Sequence, residues 1–191
     1  MPTPERPTEY FADEAEFREW LEQNHNVFDG VWIKIAKKGT GQKSINHARA
    51  LDEALCFGWI DGQARRIDDD FYLQGFTPRR AQSPWSKRNQ EKVADLIGQG
   101  RMRPAGQAEI DRAKADGRWD RATERPSEAE VPQDFLDELA KSPAAQAFFA
   151  TLDKRNHFAV HLQLNDAKRP ETRARRIAKF IDMFAQGKKL H

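Results

Sequence analysis

The sequence predicts an α+β fold: a small antiparallel sheet of about three strands packed with helices and followed by a C-terminal helical segment. Three observations carry that expectation. A β-branched run, Val31-Trp32-Ile33-Lys34-Ile35-Ala36-Lys37-Lys38, is stopped by Gly39-Thr40-Gly41 and reads as a strand. Two more strand-like runs, residues 59–67 and 71–77, flank Asp68-Asp69-Asp70 as the arms of a hairpin. From residue 133 onward the apolar residues recur at helical spacing.

Taken in order, residues 1–10 hold three prolines and few apolar groups, so a loose arm is expected. Asp13 and Glu16 form an Asp version of the capping box, with Phe17, Trp20 and Leu21 on one helical face behind it. Ser44 is the expected cap of a helix over residues 45–57, ended by Gly58 in the C′ position. With Asp68 and Asp69 as a two-residue loop, Arg65 would lie opposite Tyr72, Gln63 opposite Gln74 and Asp61 opposite Phe76. A slip of one residue would turn every side chain over.

Ser83 followed by Pro84 at the first helical position predicts the next helix, with Trp85, Asn89, Val93, Leu96 and Ile97 on one face and Gly98 and Gly100 at its end. Residues 104–115 form another, stopped by Gly117. Acids, Ser and Pro without periodicity mark a linker over residues 121–132. Helices are expected at about 133–141, 144–152, 156–165 and 170–186. The implied domains are an N-terminal α+β domain (1–120), an acidic linker (121–132) and a helical segment (133–191).

Five Trp and twelve Phe in 191 residues indicate a folded chain, although the mean hydropathy is −0.87. A net charge of +2 is too mild to imply nucleic acid by itself, but the charge is segregated. Residues 168–191 carry eight Lys/Arg against two acids, and residues 118–138 carry three Arg against seven acids. The single cysteine, Cys56, excludes an internal disulfide and fits a reducing cytoplasm. No apolar run reaches the length of a membrane span or of a signal peptide, so a cytoplasmic protein is expected.

The run Ala54-Leu55-Cys56-Phe57-Gly58-Trp59-Ile60-Asp61-Gly62 resembles the bacterial YdeI/OmpD-associated family, also labelled bacteriocin-protection proteins. Lys37-Lys38-Gly39, Phe76-Thr77-Pro78-Arg79-Arg80, Ser83-x-Trp85-Ser86-x-x-Asn89, Gly100-Arg101-Met102-x-Pro104-x-Gly106 and Ala113-Lys114-Ala115-Asp116-Gly117-Arg118-Trp119 resemble it too. In the tail, Ala167-Lys168-Arg169-Pro170-Glu171-Thr172-Arg173-Ala174-Arg175-Arg176-Ile177 is similar to the family's C-terminal segment. The family's names record association and protection phenotypes rather than a chemistry, and the resemblance carries over no catalytic residue.

The candidate site is the stretch from Trp59 to Asn89. Arg79 and Arg80, with Lys87 and Arg88, would lie next to a helix start at Ser83, Trp85 and Ser86, where backbone N–H groups and the helix dipole suit an anion, and Arg65 and Asn89 belong to the same candidate ligand-binding set. Equally, Ser83 caps the helix and the arginines pair with the aspartates of the hairpin loop. Trp59 and Trp85 would be stacking platforms, or core residues; the core is preferred for Trp59. Asp61 is a candidate acid or base, with an ion pair to an arginine such as Arg79 the preferred reading. Cys56 is expected to be buried and inert.

His157 and His161 stand at i, i+4 without a third ligand, so no metal is expected. No cofactor is implied either: phosphate loop, dinucleotide fingerprint and serine elbow are all missing from the sequence. In the last helix, Ile177, Phe180, Ile181 and Phe184 form an apolar stripe, and Arg173, Arg175, Arg176 and Lys179 a basic flank. That flank is a solvated face or a contact for phosphate backbone.

Three functions compete. First is a non-enzymatic module binding an anionic ligand, a phosphorylated small molecule or a nucleic acid. Second is a protein–protein adaptor in envelope stress or bacteriocin tolerance, as the family labels imply. Third is an enzyme with Asp61 as acid or base and Arg79/Arg80 as anion clamp.

Overall fold

The computed structural model describes residues 6–124, 129–167 and 169–190. The start of the N-terminal arm and the middle of the acidic stretch (125–128) lie outside the described residues. The chain divides into two compact units, Met1–Ala122 and Thr123–His191.

The first unit is built on a four-stranded sheet in the order β1-β2-β4-β3. The strands are β1 (Thr8–Glu9), β2 (Val31–Ala36), β3 (Trp59–Arg66) and β4 (Phe71–Pro78). β2 and β3 both pair antiparallel with β4. The short β1 adds a parallel edge to β2, so residues 8 and 9 are strand and not loose arm. In β2 the β-branched residues alternate as expected: Val31, Ile33 and Ile35 are buried, while Trp32 and Lys34 face the other way.

Two helices cover the inner face. In α1 (Glu14–Asn24) the Asp13 carboxylate accepts from the N–H groups of Ala15 and Glu16, and the buried face carries Phe17 and Leu21. In α2 (His47–Cys56) the cap is Asn46, whose side chain accepts from Arg49 N. The expected cap, Ser44, instead accepts from Ala36 N and donates to Ile45 O, so it ties the loop to β2. Each fully buried Phe, Leu or Ile of this core contributes about 1.5–3 kcal/mol through removal from water.

The hairpin departs from the expected register at one point. Asp61 does lie opposite Phe76, but the ladder shifts between Asp61 and Ala64, and beyond it Ala64 faces Gln74, Arg65 faces Leu73 and Arg66 faces Tyr72. A bulge at Gly62-Gln63 inserts one extra residue. Arg65 is thereby turned from the helix-covered face to the opposite one.

Helices α3 (Lys87–Gly98) and α4 (Pro104–Ala115) complete the unit. α3 starts three residues later than the Ser83-Pro84 pair predicts. Ser86 is its cap, accepting from Asn89 N at 3.2 Å, while Ser83 Oγ accepts from Arg80 N and closes a turn. Of the expected α3 face, Val93 and Leu96 are buried and Ile97 is exposed. α4 crosses the end of α2 so closely that a Cβ on Gly106 would lie 2.3 Å from Cys56 O. Gly58, at φ +76°, turns the chain out of α2 into β3.

The second unit is helical: α5 (Gln133–Leu139), α6 (Pro143–Ala150), α7 (Lys154–Asn165) and α8 (Pro170–Ala185). Its core joins Phe135, Phe149, Val160, Leu164, Ile177, Phe180 and Phe184. The apolar stripe of α8 therefore supplies a face of this core, with Ile181 half-buried at its margin. Among the described residues no helix is long and apolar enough to cross a membrane.

Candidate functional site

Arg79 is the side chain whose surroundings need most explanation. β4 ends at Pro78, and Arg79 N donates to Gly58 O at 3.0 Å, which fixes the residue beside the α2–β3 turn. The residue is only 6% exposed. Nη1 donates to Pro84 O at 3.1 Å, and the guanidinium carbon sits 3.8 Å from the centre of the Trp85 ring. Nε and Nη2 are buried with no hydrogen-bond partner. Burial pulls the Arg79 pKa well below the usual guanidinium range, to about 10; the Glu109 carboxylate opposes that shift, and Arg118 adds to it. Even so the group stays charged at neutral pH.

The shell around it is aromatic and cationic. Trp85 is 2% exposed and packs at 4.9 Å against the ring of Trp119. Arg118 donates through Nη1 to Ser83 O at 2.8 Å and faces Asp116 at 2.7 Å. Gln90 Nε2 donates to Trp119 O, which joins α3 to the turn after α4. Arg79, Ser83, Trp85, Ser86 and Asn89 are thus brought into one neighbourhood, with Arg118 and Trp119 beside them. Trp85 is a buried floor under Arg79, not an open stacking surface.

The other expected members lie elsewhere. Trp59 is 1% exposed, stands edge-on to Trp20 and donates from Nε1 to His25 O, so it is a core residue. Arg80 is exposed. Arg65 lies on the opposite sheet face, 4.1 Å from the Trp32 ring. The hairpin aspartates do not pair with Arg79 or Arg80: Asp69 takes Arg66, and Asp68 Oδ1 accepts from Asp70 N and Phe71 N.

Asp61 has a partner that the sequence did not suggest. His47 Nε2 lies 3.1 Å from Asp61 Oδ2, and each side chain is about a third exposed (34% and 32%). The hydrogen bond with His47 is the chief cause that holds the Asp61 carboxyl below its usual range, against burial and with a smaller contribution from Arg79. The ion pair expected with Arg79 is therefore a long-range attraction, and the contact is with His47. The signal that would have found His47 is Asn46: with the cap there, His47 is the first residue of α2 and its ring can reach across to β3.

Cys56 is buried, and its thiol pKa is raised by burial and then by Glu53, which opposes reactivity. In the second unit, His157 stacks on Phe149 and lies 3.1 Å from Phe149 O, while His161 Nδ1 lies 2.6 Å from Glu130 O. Among the described residues there is no group of three or more His, Cys, Asp or Glu that could hold a metal ion. Half of the basic flank of α8 is structural. Arg173 grips Asp134 and donates to Leu164 O; Arg176 reaches Gln163 O and Asp166. Arg175 and Lys179 stay exposed.

A groove of about 770 Å³ runs beside α5 and α8, lined among others by Ile177, Ala178 and Ile181 and by three carboxylates, Asp134, Glu138 and Asp182, against one lysine, Lys141. Its carboxylates disfavour an anion there.

No curated protein and no solved structure matches the chain. Residues 128–187 match the family described as "Bacteriocin-protection, YdeI or OmpD-Associated". Residues 9–109, which include Asp61, Arg79 and the start of α3, match a different model, "Domain of unknown function (DUF8412)". That second match covers 101 of the 191 residues, so the chain belongs to the DUF8412 family and carries a YdeI/OmpD-associated segment after it.

Proposed function

We propose that the first unit is a binding module for a small oxyanion, such as the phosphate of a phosphorylated metabolite, held by Arg79 at the turn leading into α3. The observation that supports this reading is the pair of buried Arg79 donors, Nε and Nη2, that have no partner. Leaving such donors unmet costs about 1–3 kcal/mol or more for a charged group, and a buried cation without a partner is costlier still. An oxyanion accepts from two guanidinium nitrogens at once. Arg118 adds positive charge nearby, while Asp61 and Glu109 act on Arg79 only through space.

The test is thermal unfolding in phosphate and in sulfate against chloride at matched ionic strength. A site of this kind raises the midpoint with added phosphate in a saturable way, because a ligand that binds only the folded state stabilises it. In Arg79→Met the rise disappears. A midpoint insensitive to both oxyanions, or one that rises equally in Arg79→Met, would overturn the reading.

A second reading is enzymatic and is favoured by the half-exposed His47–Asp61 pair. There His47 would move the proton and Asp61 would orient the ring, the usual division in such pairs. It predicts that Asp61→Asn leaves the fold intact and abolishes a turnover; unfolding of that variant would count for a purely structural pair.

A further inference from the structure

The sheet face turned away from α1 and α2 carries a separate feature. Val31, Ile33 and Ile35 point into the core, so Trp32 and Lys34 point out, and the register places Trp32 across from Gly75 and Lys34 across from Leu73. Because of the bulge after Asp61, Arg65 joins this outer face, also across from Leu73. Among the described residues, Trp32, Phe71 and Leu73 are not part of the first unit's hydrophobic core.

Two ring–cation pairs lie on the face. Arg65 reaches over β4 to within 4.1 Å of the Trp32 ring, and Lys34 Nζ sits 4.2 Å from the Phe71 ring. Gly75 makes the first pair possible, since a Cβ there would stand 3.1 Å from Trp32 Cζ3. The indole thus lies across the neighbouring strand. The outward residues in the middle of the sheet, Trp32, Lys34, Arg65, Phe71, Leu73 and Gly75, include two cations and no carboxylate. At the hairpin tip Asp69 pairs with Arg66, and the Asp68 carboxylate accepts from Asp70 N and Phe71 N.

We propose that this face binds a single-stranded nucleic acid. Half-buried rings on a sheet face become stacking platforms for unpaired bases when the cations lying over them, Arg65 and Lys34, turn to the phosphates. An acidic protein would match the charge but leave the rings without stacking partners, and a duplex keeps its bases out of reach. The site is distinct from the Arg79 turn and does not depend on it.

The test is fluorescence anisotropy of a labelled oligothymidylate with the full chain, at low and at physiological salt. Binding weakens as salt rises. Trp32→Ala lowers affinity about tenfold, and Trp32→Phe retains most of it. Lys34→Glu with Arg65→Glu abolishes binding while the thermal midpoint stays near that of the parent, which covers the case where Trp32→Ala loosens the sheet. Arg79→Met binds like the parent, so failure here and failure of the oxyanion site are separable. The proposal is overturned by no binding at low salt, by binding that these variants leave unchanged, by equal binding of duplex, or by equally effective displacement with polyglutamate.

Discussion

Glu53 and Arg79 are both charges sealed inside the first unit, and the protein treats them in opposite ways. Glu53, 2% exposed on α2, has one carboxylate oxygen taken by Arg18 at 2.6 Å and the other by Arg101. Arg18 also donates to Arg101 O, so both guanidiniums are tied into one clamp joining α1, α2 and the loop before α4. Arg79 has one carbonyl and a ring, and two donors without partners. A fully met buried charge specifies how helices pack; a half-met one is a cost that binding can recover. The difference separates a structural device from a candidate site without any appeal to residue type.

The largest effect follows from breaking the clamp. Glu53→Ala leaves two guanidiniums facing each other across a hole and is expected to cost about 3–5 kcal/mol in chemical denaturation. Next, Arg79→Met replaces an under-satisfied cation by an apolar chain of similar length. Its stability in anion-free buffer is expected to be unchanged or higher by about 1–2 kcal/mol. A loss as large as that of Glu53→Ala would erase the contrast and make Arg79 structural.

Smaller again is the His47–Asp61 pair. Because the Asp61 pKa is lowered in the folded state, its stabilisation is present above the ordinary carboxyl value of 3.8 and fades as pH falls through the lower folded value. His47→Gln removes the principal cause of that shift and should cost about 0.5–1 kcal/mol near neutral pH, as befits a half-exposed pair, with no difference from the parent at strongly acid pH. Denaturation curves across pH read this directly. The smallest signal is kinetic: Cys56 lies beside the clamp, so Glu53→Gln should speed its modification by a thiol reagent, whereas Arg79→Met should not.

Much of the fold was legible because its signals are local. Val31-Trp32-Ile33-Lys34-Ile35 alternates as a strand must, Pro104 opens α4, and Asp13 caps α1. Where the reading failed, two local signals competed and packing chose. Ser83-Pro84 and Ser86-Lys87 each make a plausible helix start; burying Trp85 under Arg79 leaves only the later one. Ser44 and Asn46 both suit a cap, and Ser44 is drawn away by Ala36 N.

The site was legible in part for a related reason. Arg79, Trp85 and Ser86 are close in sequence and stay together in space. A bulge-free register keeps Arg65 opposite Tyr72 on the helix-covered face, and a single extra residue at Gly62-Gln63 turns it to the other one. His47 pairs with Asp61 across fourteen positions, and no periodicity reports such a contact. Whether a buried arginine is satisfied is likewise a three-dimensional property.

The most direct measurement is a crystal structure of the full chain grown from selenate, with anomalous scattering recorded at the selenium edge. An anomalous peak is expected within hydrogen-bond reach of Arg79 Nε and Nη2, absent in Arg79→Met crystals grown alike. Ordered water alone on those two nitrogens, or a protein acceptor that closes onto them, would contradict it.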